Sequence, residues 1–387
     1  ERALYWVSFP FDVHLEDAFG FGNYGEHWIM EYYDGQERAE KGGWIDATYW
    51  KYIENPSGVK LTKGVGYVLC LDLDKLKANS PIWGKATELS LYFPSLADNS
   101  TISKEAIEDV VVPAHKCTIN RPTPDGDRRF KDSNWNIIGV PSFANATDFD
   151  SKDVKFYYHW DAEFNKYDAQ IATEFNTMHA YMTQFAGTIQ WAYKTVVPAP
   201  MAARKQSAGK DQYTLRLALQ QEDTQCDHTF IRLQEDNATA EFDMNYDLCK
   251  IINSGANIYS MIGNVEVAAN VLPVEERVIP LGLDIHETGN YTFAMPDGTD
   301  GITATLIDYE TGTETNLLLA DYTTELREGT NNERFALRVR PNHVATEVEN
   351  TILTDGNDNV KKYIIDGALY LLRDGKLYDA QGRMVQQ

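Results

Sequence analysis

The sequence predicts an all-β fold of tandem antiparallel β-sandwich (jelly-roll-like) domains, with a short C-terminal β-meander and few short helices. Three observations predict it. Apolar and polar residues alternate along runs such as 291–295 (YTFAM) and 335–339 (FALRV), which is the pattern of a strand with one buried face. Turn sequences such as Pro296-Asp297-Gly298 separate these runs. Aromatic residues make up 12% of the chain, and they favour strands.

Charge and length narrow the classes of function. The 387 residues suffice for two or three domains of about 100–200 residues each. The chain carries 58 acidic and 35 basic residues, a formal net charge of −23, which repels phosphate backbones and anionic lipids. No apolar run approaches the roughly 18 residues of a membrane-spanning helix. We therefore expect that the protein does not bind nucleic acid and has no membrane-spanning segment.

The first residues bear on N-terminal processing, and the cysteines bear on whether disulfides form. The opening ERALYWVSFPF lacks the basic start and cleavage site of a signal peptide, so we expect that the chain begins inside a longer protein. Four cysteines are too few for a disulfide scaffold. They stand in apolar surroundings, which predicts buried free thiols and leaves the compartment open: Cys70, Cys117, Cys226 and Cys249.

Composition divides the chain into five segments. Residues 1–118 are a first β-sandwich unit, and residues 119–200 are a second, repeat-like β unit that can pack with the first. Residues 201–212 are a linker, because the run VVPAPMAARKQSAGKD at 196–211 holds two prolines, small residues and basic charge. Residues 213–342 form the jelly-roll-like sandwich, with about ten strands. Residues 343–387 are a separate C-terminal β-hairpin tail.

The second unit repeats features of the first in the same order. Residues 6–11 (WVSFPF) are echoed by 135–143 (WNIIGVPSF), residues 32–34 (YYD) by 157–161 (YYHWD), and residues 66–69 (GYVL) by 180–182 (AYM). Such ordered correspondences predict duplicated supersecondary units.

Short helices and a meander complete the predicted elements. One helix is predicted over 72–79 with Asp72 as its cap, and others over 103–107 and over 243–253 before a glycine. In the tail, Asp366-Gly367 and Asp374-Gly375 are two-residue hairpin turns, because glycine tolerates the positive φ that these turns require. Their spacing predicts a three-stranded meander.

The C-terminal half resembles a known group of proteins. The runs YTFAMPDG, LIDYETGTETNLL and ERFALRV, followed by DGALYLLRDGKLYDAQGRMV, are similar to the C-terminal region of large secreted or surface β-sandwich proteins of Bacteroidales-type bacteria. The closing residues 377–385 resemble the start of a Por-type (type IX) secretion sorting domain, in shortened form. The resemblance implies a secreted or outer-cell-surface location and an interaction of the tail with the secretion machinery. It implies no chemistry.

Catalytic signatures are missing from the sequence. The eight histidines are scattered, and the HExxH, GxSxG and CxxC patterns do not occur. These patterns carry zinc hydrolysis, serine hydrolysis and thiol redox chemistry. We therefore predict a protein that is not an enzyme.

Two aspartate-rich loops are candidate calcium sites. They hold Asp125, Asp127 and Asp132 in PDGDRRFKDS, and Asp355 and Asp358 in TDGNDN. Closely spaced carboxylates supply the oxygen ligands that Ca²⁺ prefers. Arg128 and Arg129 would oppose a cation, however, and aspartate and glycine also make ordinary solvated turns. The prediction is no cofactor, with Ca²⁺ as the alternative.

One aromatic stretch is a candidate carbohydrate-binding surface. The segment GGWIDATYWKY holds Trp44, Asp46, Tyr49 and Trp50. Flat rings beside a carboxylate can stack on a sugar, and jelly-roll domains often carry such surfaces. The competing interpretation is that these aromatics belong to a core, where tryptophan is usually well buried.

Together these features predict a non-catalytic, secreted or cell-surface protein with a structural, adhesive or display role, forming the C-terminal part of a larger chain. The alternative is a carbohydrate-binding module of a surface glycan-capturing system. The partners expected are glycans or other surface proteins, and the secretion machinery through the tail.

Overall fold

The computed structural model confirms the all-β class, since antiparallel strands form nearly all of its regular structure. Two compact units divide the chain. The first consists of residues 1–206, 242–254 and 263–269, and the second of residues 207–241, 255–262 and 270–387. The structure describes residues 2–41, 49–78, 90–95, 109–117, 129–142, 149–151, 153–193, 212–222, 224–234, 237–297, 301–341, 360–365, 368–373, 376–379 and 381–386.

These units differ from the segments expected from composition. Residues 242–254 and 263–269 group with the first unit, although they fall inside the segment 213–342. The first unit also joins the expected segments 1–118 and 119–200. The linker lies outside the described residues, except for Gln212, which begins a strand.

In the part that the structure describes, the first unit contains many short strands and the two helices α1 (Gly35–Lys41) and α2 (Leu73–Ala78). Its strands up to residue 193 are β1 (Arg2–Ser8), β2 (Val13–His14), β3 (Phe19–Gly20), β4 (Trp28–Tyr33), β5 (Trp50–Tyr52), β6 (Lys60–Leu61), β7 (Gly66–Asp72), β8 (Leu91–Tyr92), β9 (Val110–Val112), β10 (Trp135–Gly139), β11 (Phe149–Ser151), β12 (Phe156–Asp161), β13 (Lys166–Ile171), β14 (Ala180–Gln184), β15 (Gly187–Ile189) and β16 (Trp191–Tyr193).

Two four-stranded sheets of the first unit have the same topology. Their orders are β1-β7-β4-β5 and β10-β14-β12-β13, so each reads first, fourth, second and third strand along the chain. Ser8 pairs with Gly66 at the end of β1, and Gly139 pairs with Ala180 at the end of β10. This register makes Ser8 equivalent to Gly139, and Gly66 equivalent to Ala180. We call the two sheets with their connections the first and second repeats.

The register corrects one detail of the sequence comparison. Counting back from Ser8 and Gly139 places Trp6 at the same position as Ile137. The comparison of sequences aligned Trp6 with Trp135 instead, two residues away. A tryptophan is a weak anchor for such an alignment, because a shift of two residues leaves the alternation of buried and exposed side chains unchanged.

Reciprocal backbone hydrogen bonds join the two repeats. The amide of Ser8 donates to the carbonyl of Met178 at 3.1 Å, and the amide of Gly139 donates to the carbonyl of Gly64 at 2.9 Å. Met178 and Gly64 each precede the last strand of their sheet by two residues. Exchanging the repeats therefore maps one bond onto the other, as a pseudo-two-fold axis requires.

Isolated antiparallel bridges show the same symmetry. Val7 pairs with His179, and Ile138 pairs with Val65. Since Val7 is equivalent to Ile138 and His179 to Val65, the two bridges are one interaction made twice. The contact between the repeats is thus built from backbone groups that neither repeat satisfies alone.

A tyrosine holds the same turn in each repeat. The Tyr67 hydroxyl accepts the amide hydrogen of Thr62 at 2.8 Å, and the Tyr181 hydroxyl accepts that of Asn176 at 2.5 Å. Both pairs are five residues apart and sit at equivalent positions. Burial raises the pKa of Tyr181 to about 12, so this phenol stays protonated. The turns that lead into β7 and β14 are therefore fixed by the same contact.

Within these turns, Gly64 and Met178 both have left-handed backbone, with φ of 72° and 67°. Left-handed backbone costs a residue with a side chain about 1 kcal/mol. Met178 is 43% exposed and contributes little packing.

We expect Met178→Gly to raise the free energy of unfolding by about 0.5–1 kcal/mol, measured by urea denaturation. The matched change Gly64→Ala should lower it, because the new Cβ would lie 2.8 Å from Val110 Cγ2. A destabilising Met178→Gly would contradict the expectation.

The remaining strands run to the end of the chain. They are β17 (Gln212–Gln221), β18 (Thr224–Gln234), β19 (Leu248–Cys249), β20 (Asn257–Ile262), β21 (Val265–Leu272), β22 (Arg277–Ile285), β23 (Gly289–Ala294), β24 (Ile302–Asp308), β25 (Thr313–Asn316), β26 (Tyr322–Leu326), β27 (Gly329–Pro341), β28 (Val360–Ile365), β29 (Ala368–Arg373), β30 (Lys376–Asp379) and β31 (Met384–Gln386). Of these, β19 and residues 265–269 of β21 belong to the first unit.

The second unit is built on one near-closed, barrel-like sheet. One side has the order β25-β24-β27-β22-β20 and the other β18-β17-β23-β26, with residues 270–272 of β21 between β20 and β18. The open edge is bridged by side chains, because the Tyr322 hydroxyl on β26 donates to Asp308 on β24 at 2.7 Å. Both sides contribute to a single apolar core that includes Leu217, Ile258, Leu281, Phe293, Phe335 and Leu337.

The alternation that predicted these strands is present in the structure. Phe335, Leu337 and Val339 are buried. On the opposite face, Arg338 pairs with Glu314 at 2.7 Å, and Arg340 pairs with a second glutamate. Strand β27 therefore has one face buried in the apolar core and one face that forms ion pairs, as its two-residue period predicts.

A buried ion pair lies near the bridged edge. The Asp308 side chain is 1% exposed and accepts hydrogen bonds from Arg334 Nε at 3.0 Å and Arg334 Nη2 at 2.8 Å. Burial by itself would raise the pKa of this carboxyl, but Arg334, the Tyr322 hydroxyl and the amide of Glu310 outweigh burial and lower the pKa to about 2. The carboxylate therefore serves as a fixed anionic link between β24, β26 and β27.

The C-terminal strands form a four-stranded sheet in the order β28-β29-β30-β31, one strand more than predicted. Asp379 organises its last turn by accepting the amide hydrogens of Gln381 and Arg383 at 2.9 and 2.8 Å. Gly382 supplies the left-handed position, with φ of 77°. The predicted turns at Asp366-Gly367 and Asp374-Gly375 lie outside the described residues.

The predicted helices had mixed outcomes. Helix α2 follows Asp72, whose Oδ1 accepts the amide hydrogen of Lys75 at 3.0 Å, so the capped helix at 72–79 is confirmed. The helix over 243–253 was wrong, because a single turn there gives way to β19, which pairs with β21. The segment 103–107 lies outside the described residues. Neither helix in the described part of the chain is long and apolar enough to cross a membrane.

Candidate functional site

A cleft of about 570 Å³ opens between the two repeats of the first unit. Its walls come from the end of β4, the start of α1, the segment around β6 and the start of β7 in the first repeat, and from β10 of the second repeat together with β9, which shares its core. The walls are mostly apolar, and they include Ile53, Leu61, Tyr67, Val110, Val112 and Ile138. A concave site of a few hundred Å³ with apolar walls and a few polar groups has the character of a small-molecule pocket.

His115 heads the polar part of the cleft. Its Nε2 lies 3.1 Å from Asn136 Oδ1, and its Nδ1 lies 3.1 Å from Gln36 Oε1. The amide nitrogen of Asn136 donates to three backbone carbonyls, those of Pro113, Asn134 and Phe185. Because these bonds fix the orientation of the amide, Nε2 of His115 carries the hydrogen that Asn136 Oδ1 accepts.

The charged side chains of the described lining are already paired. Lys60 Nζ lies 3.0 Å from Asp12 Oδ2. Asp34 Oδ1 accepts the amide hydrogen of Glu37 at 2.8 Å and so caps helix α1. The cleft therefore presents apolar walls, and the two charged side chains of its described lining each have an ion-pair or hydrogen-bond partner.

The pseudo-symmetry accounts for the open space. Ile137 and Tyr33 line the cleft, and their equivalents in the exchanged repeats are Trp6 and Trp160. The rings of Trp6 and Trp160 stack, with centroids 6.3 Å apart and planes at 19°. Isoleucine is smaller than tryptophan, so the same position on the cleft side is left unfilled.

Two of the predicted carbohydrate-binding residues lie inside the first unit. Tyr49 is 9% exposed. Trp50 packs against Trp6 and Tyr33, with ring centroids 5.7 and 5.0 Å away, and its indole N–H donates to the Tyr167 hydroxyl at 3.2 Å. Trp50 and Tyr167 occupy equivalent positions in the two repeats. These aromatics form a cluster that joins the repeats, in agreement with the interpretation that they belong to a core. Trp44 and Asp46 lie outside the described residues.

Arg38 of helix α1 anchors this cluster. Its guanidinium donates to the Tyr33 hydroxyl at 2.9 Å and lies 4.5 Å from the ring centre of Trp135. Its Nε lies 3.5 Å from Asp132 Oδ1. Burial raises the pKa of Tyr33 to about 12. Cation–π contact and ion pairing thus hold the first repeat to the second at this point.

The aspartates proposed for calcium are not assembled by the described residues. Asp132 pairs with Arg38, and Asp125, Asp127, Asp355 and Asp358 lie outside the described residues. No group of three or more His, Cys, Asp or Glu side chains suited to a metal ion occurs within the described ranges.

The four cysteines are free thiols, as predicted, with Cys226 partly buried and the other three buried. The thiol of Cys70 donates to Glu31 Oε1 at 3.2 Å. Burial raises the pKa of the Cys70 thiol, and the neighbouring Glu31 carboxylate raises it further. Burial also raises the pKa of Glu31. A low-pKa nucleophilic thiolate is therefore not formed here.

Sequence reasoning did not single out His115, Asn136 or Ile137. They carry no motif, and their association depends on how the two repeats pack. One sequence signal could have identified the cleft, namely the alignment of Pro10 with Pro141. This alignment makes Ile137 the counterpart of Trp6 and so shows that the second repeat has a smaller side chain at that position.

A family model described as "Domain of unknown function (DUF8693)" matches residues 201–339. The matched segment covers strands β17 to β26 and most of β27. The comparisons with curated proteins and with solved structures found no match.

Proposed function

We propose that this chain is a non-catalytic, secreted or cell-surface protein with a structural, adhesive or display role. The observation that carries the proposal is the structural use made of three ionisable groups whose pKa values are perturbed. Such groups cluster at active sites when they serve catalysis. Here they hold strands and repeats together.

Three examples support this interpretation. Asp308 is tied to Arg334 on a neighbouring strand. Tyr33, with its raised pKa, accepts a hydrogen bond from Arg38 in the contact between the repeats. The thiol of Cys70 remains a hydrogen-bond donor rather than a nucleophile. Each pKa shift therefore has a structural cause, and together they describe a rigid β scaffold.

The proposed partners are other surface proteins or glycans, and the secretion machinery for the C-terminal sheet. The net charge of −23 supports solubility in water and disfavours polyanionic partners. The turn around Asp379 gives the last two strands a defined shape that a sorting receptor could recognise.

Cell fractionation tests the proposed location. In cells that produce the intact protein, we expect it in the outer-surface or medium fraction, where added protease can reach it. A matched chain that ends at residue 342 should be retained inside if the C-terminal sheet is needed for export. Recovery of the intact protein in the cytoplasm would contradict the proposed location.

Limited trypsin digestion tests the domain boundary. We expect the first cuts between Val197 and Asp211, where Arg204, Lys205 and Lys210 stand in a segment with linker composition. The strands on either side bury their backbones in sheets and should resist cleavage. First cuts within residues 213–340 would contradict the boundary; mass spectrometry of the earliest fragments distinguishes the two outcomes.

A further inference from the structure

We infer that the cleft between the two repeats binds an uncharged, predominantly apolar small molecule. The inference does not depend on the proposed cellular location or role. It rests on the size of the cleft, the chemistry of its walls and the break in pseudo-symmetry that creates it.

The size of the cleft suits one organic ligand. Its volume of about 570 Å³ falls within the range of about 300–1,000 Å³ found for small-molecule sites. The place equivalent to Ile137 and Tyr33 is filled by the stacked rings of Trp6 and Trp160. The open side therefore has room for a group as large as an indole.

The walls select an apolar ligand. On β9, Val112 is buried in the core of the second repeat, with 4% of its surface exposed. Its neighbour Val111 lies at the rim of the cleft and is 76% exposed. Val65, across the cleft, is 37% exposed. Exposed aliphatic groups around a concave apolar surface are what a hydrophobic ligand would cover.

The polar lining disfavours a charged ligand. Lys60 is neutralised by Asp12, and Asp34 is committed to the cap of α1. His115 is engaged by Asn136 and faces Gln36. A charged ligand would lose its hydration and would have to compete with the partners that Lys60 and Asp34 already have, which weakens its binding. A neutral ligand loses little, and the amide and imidazole groups can still orient one polar atom.

A matched pair of fluorescent probes tests the inference. N-phenyl-1-naphthylamine is uncharged, whereas 8-anilino-1-naphthalenesulfonate has the same ring skeleton with an added sulfonate. With the intact protein, we expect saturable binding of the neutral probe at one site, with enhanced emission. The sulfonate should bind at least about tenfold more weakly, because its charge finds no partner in the cleft.

Two variants locate the site. Ile137→Trp places in the cleft the residue that fills the equivalent position at Trp6, and it should weaken binding of the neutral probe at least about tenfold. Val111→Trp narrows the rim from an exposed position and should also weaken binding, even if Ile137→Trp fails to fold. Val278→Trp is the control, since Val278 is 48% exposed on β22 of the second unit. Circular dichroism establishes that each variant is folded.

Each outcome either supports the site or overturns it. Loss of neutral-probe binding in a folded cleft variant, with the control unchanged, supports the site. Absence of saturable binding to the unaltered protein, or unchanged binding in both cleft variants, overturns it. Equal affinity for the two probes overturns the assignment of an uncharged ligand.

Discussion

Replacing Gly139 by valine is expected to lower the free energy of unfolding of the first unit by about 3 kcal/mol or more, at the upper end of overpacking effects. A Cβ atom at position 139 would lie 2.0 Å from Ser8 Cβ and 2.2 Å from Ser8 Oγ. Both residues end paired strands, so neither backbone can move without breaking the bonds between the repeats. All eight tryptophans lie in the first unit, and urea unfolding followed by tryptophan fluorescence therefore reports on it selectively.

A control and an exchange sharpen this test. A Cβ atom added at Gly58, in the same unit, would meet no heavy atom within 4 Å beyond its chain neighbours, so Gly58→Ala should cost only the roughly 1 kcal/mol of its left-handed backbone. The Ser8 hydroxyl donates to the carbonyl of His179 at 2.7 Å, and the equivalent acceptor for residue 139 is the carbonyl of Val65. The double change Ser8→Gly with Gly139→Ser should therefore recover more than half of the stability that Gly139→Ser loses alone. Failure to recover would contradict the symmetric contact.

Asp308→Asn is expected to lower the stability of the second unit by about 3 kcal/mol, because it leaves the guanidinium of Arg334 without its main counter-ion at a site of low exposure. The remaining carboxylate partner of Arg334 is the exposed Glu310, at 2.8 Å. Hydrogen exchange of peptides from β24 and β27 measures the loss locally. Glu314→Gln, which breaks the exposed pair with Arg338, is the matched control and should change exchange in these strands little.

The same carboxylate predicts a dependence on pH. The pKa of Asp308 is lowered to about 2 in the folded protein, against about 4 in an unfolded chain. Its contribution is therefore complete above about pH 4 and is lost as the pH falls toward 2, and a pKa shift of this size corresponds to about 2–3 kcal/mol. The difference between the wild type and Asp308→Asn should shrink over this window. A difference that stays constant from about pH 5 to about pH 2 would contradict the role of the ionised carboxylate.

Local patterns predicted the elements well, because strand alternation and capping depend on neighbours in sequence. The alternation at 335–339 and the cap at Asp72 both correspond to observed contacts. Helix α1 was missed, although Asp34 caps it in the same way as Asp72 caps α2. The helix over 243–253 was wrong because pairing of β19 with β21 outweighed local helix propensity.

The cleft depended on information that local patterns do not hold. Trp50 and Tyr49 were predicted as part of a sugar-stacking surface from composition, which does not show the contacts that a side chain makes. Trp50 faces Trp6 and Tyr167 only after the two repeats pack. In the same way, Ile137 borders open space only because its counterpart, Trp6, is larger. Trp50 and Tyr167 are far apart in sequence, so their contact is visible only in the folded unit.

The reciprocal bonds of Ser8 and Gly139 have a consequence for either half taken alone. A surface that meets its own counterpart across a two-fold axis is isologous, which makes it self-complementary in the manner of a homodimer interface. Joining both halves on one polypeptide replaces a bimolecular association with an intramolecular one, at an effective concentration on the order of millimolar for a flexible tether. Assembly of the pair is then independent of how dilute the protein becomes.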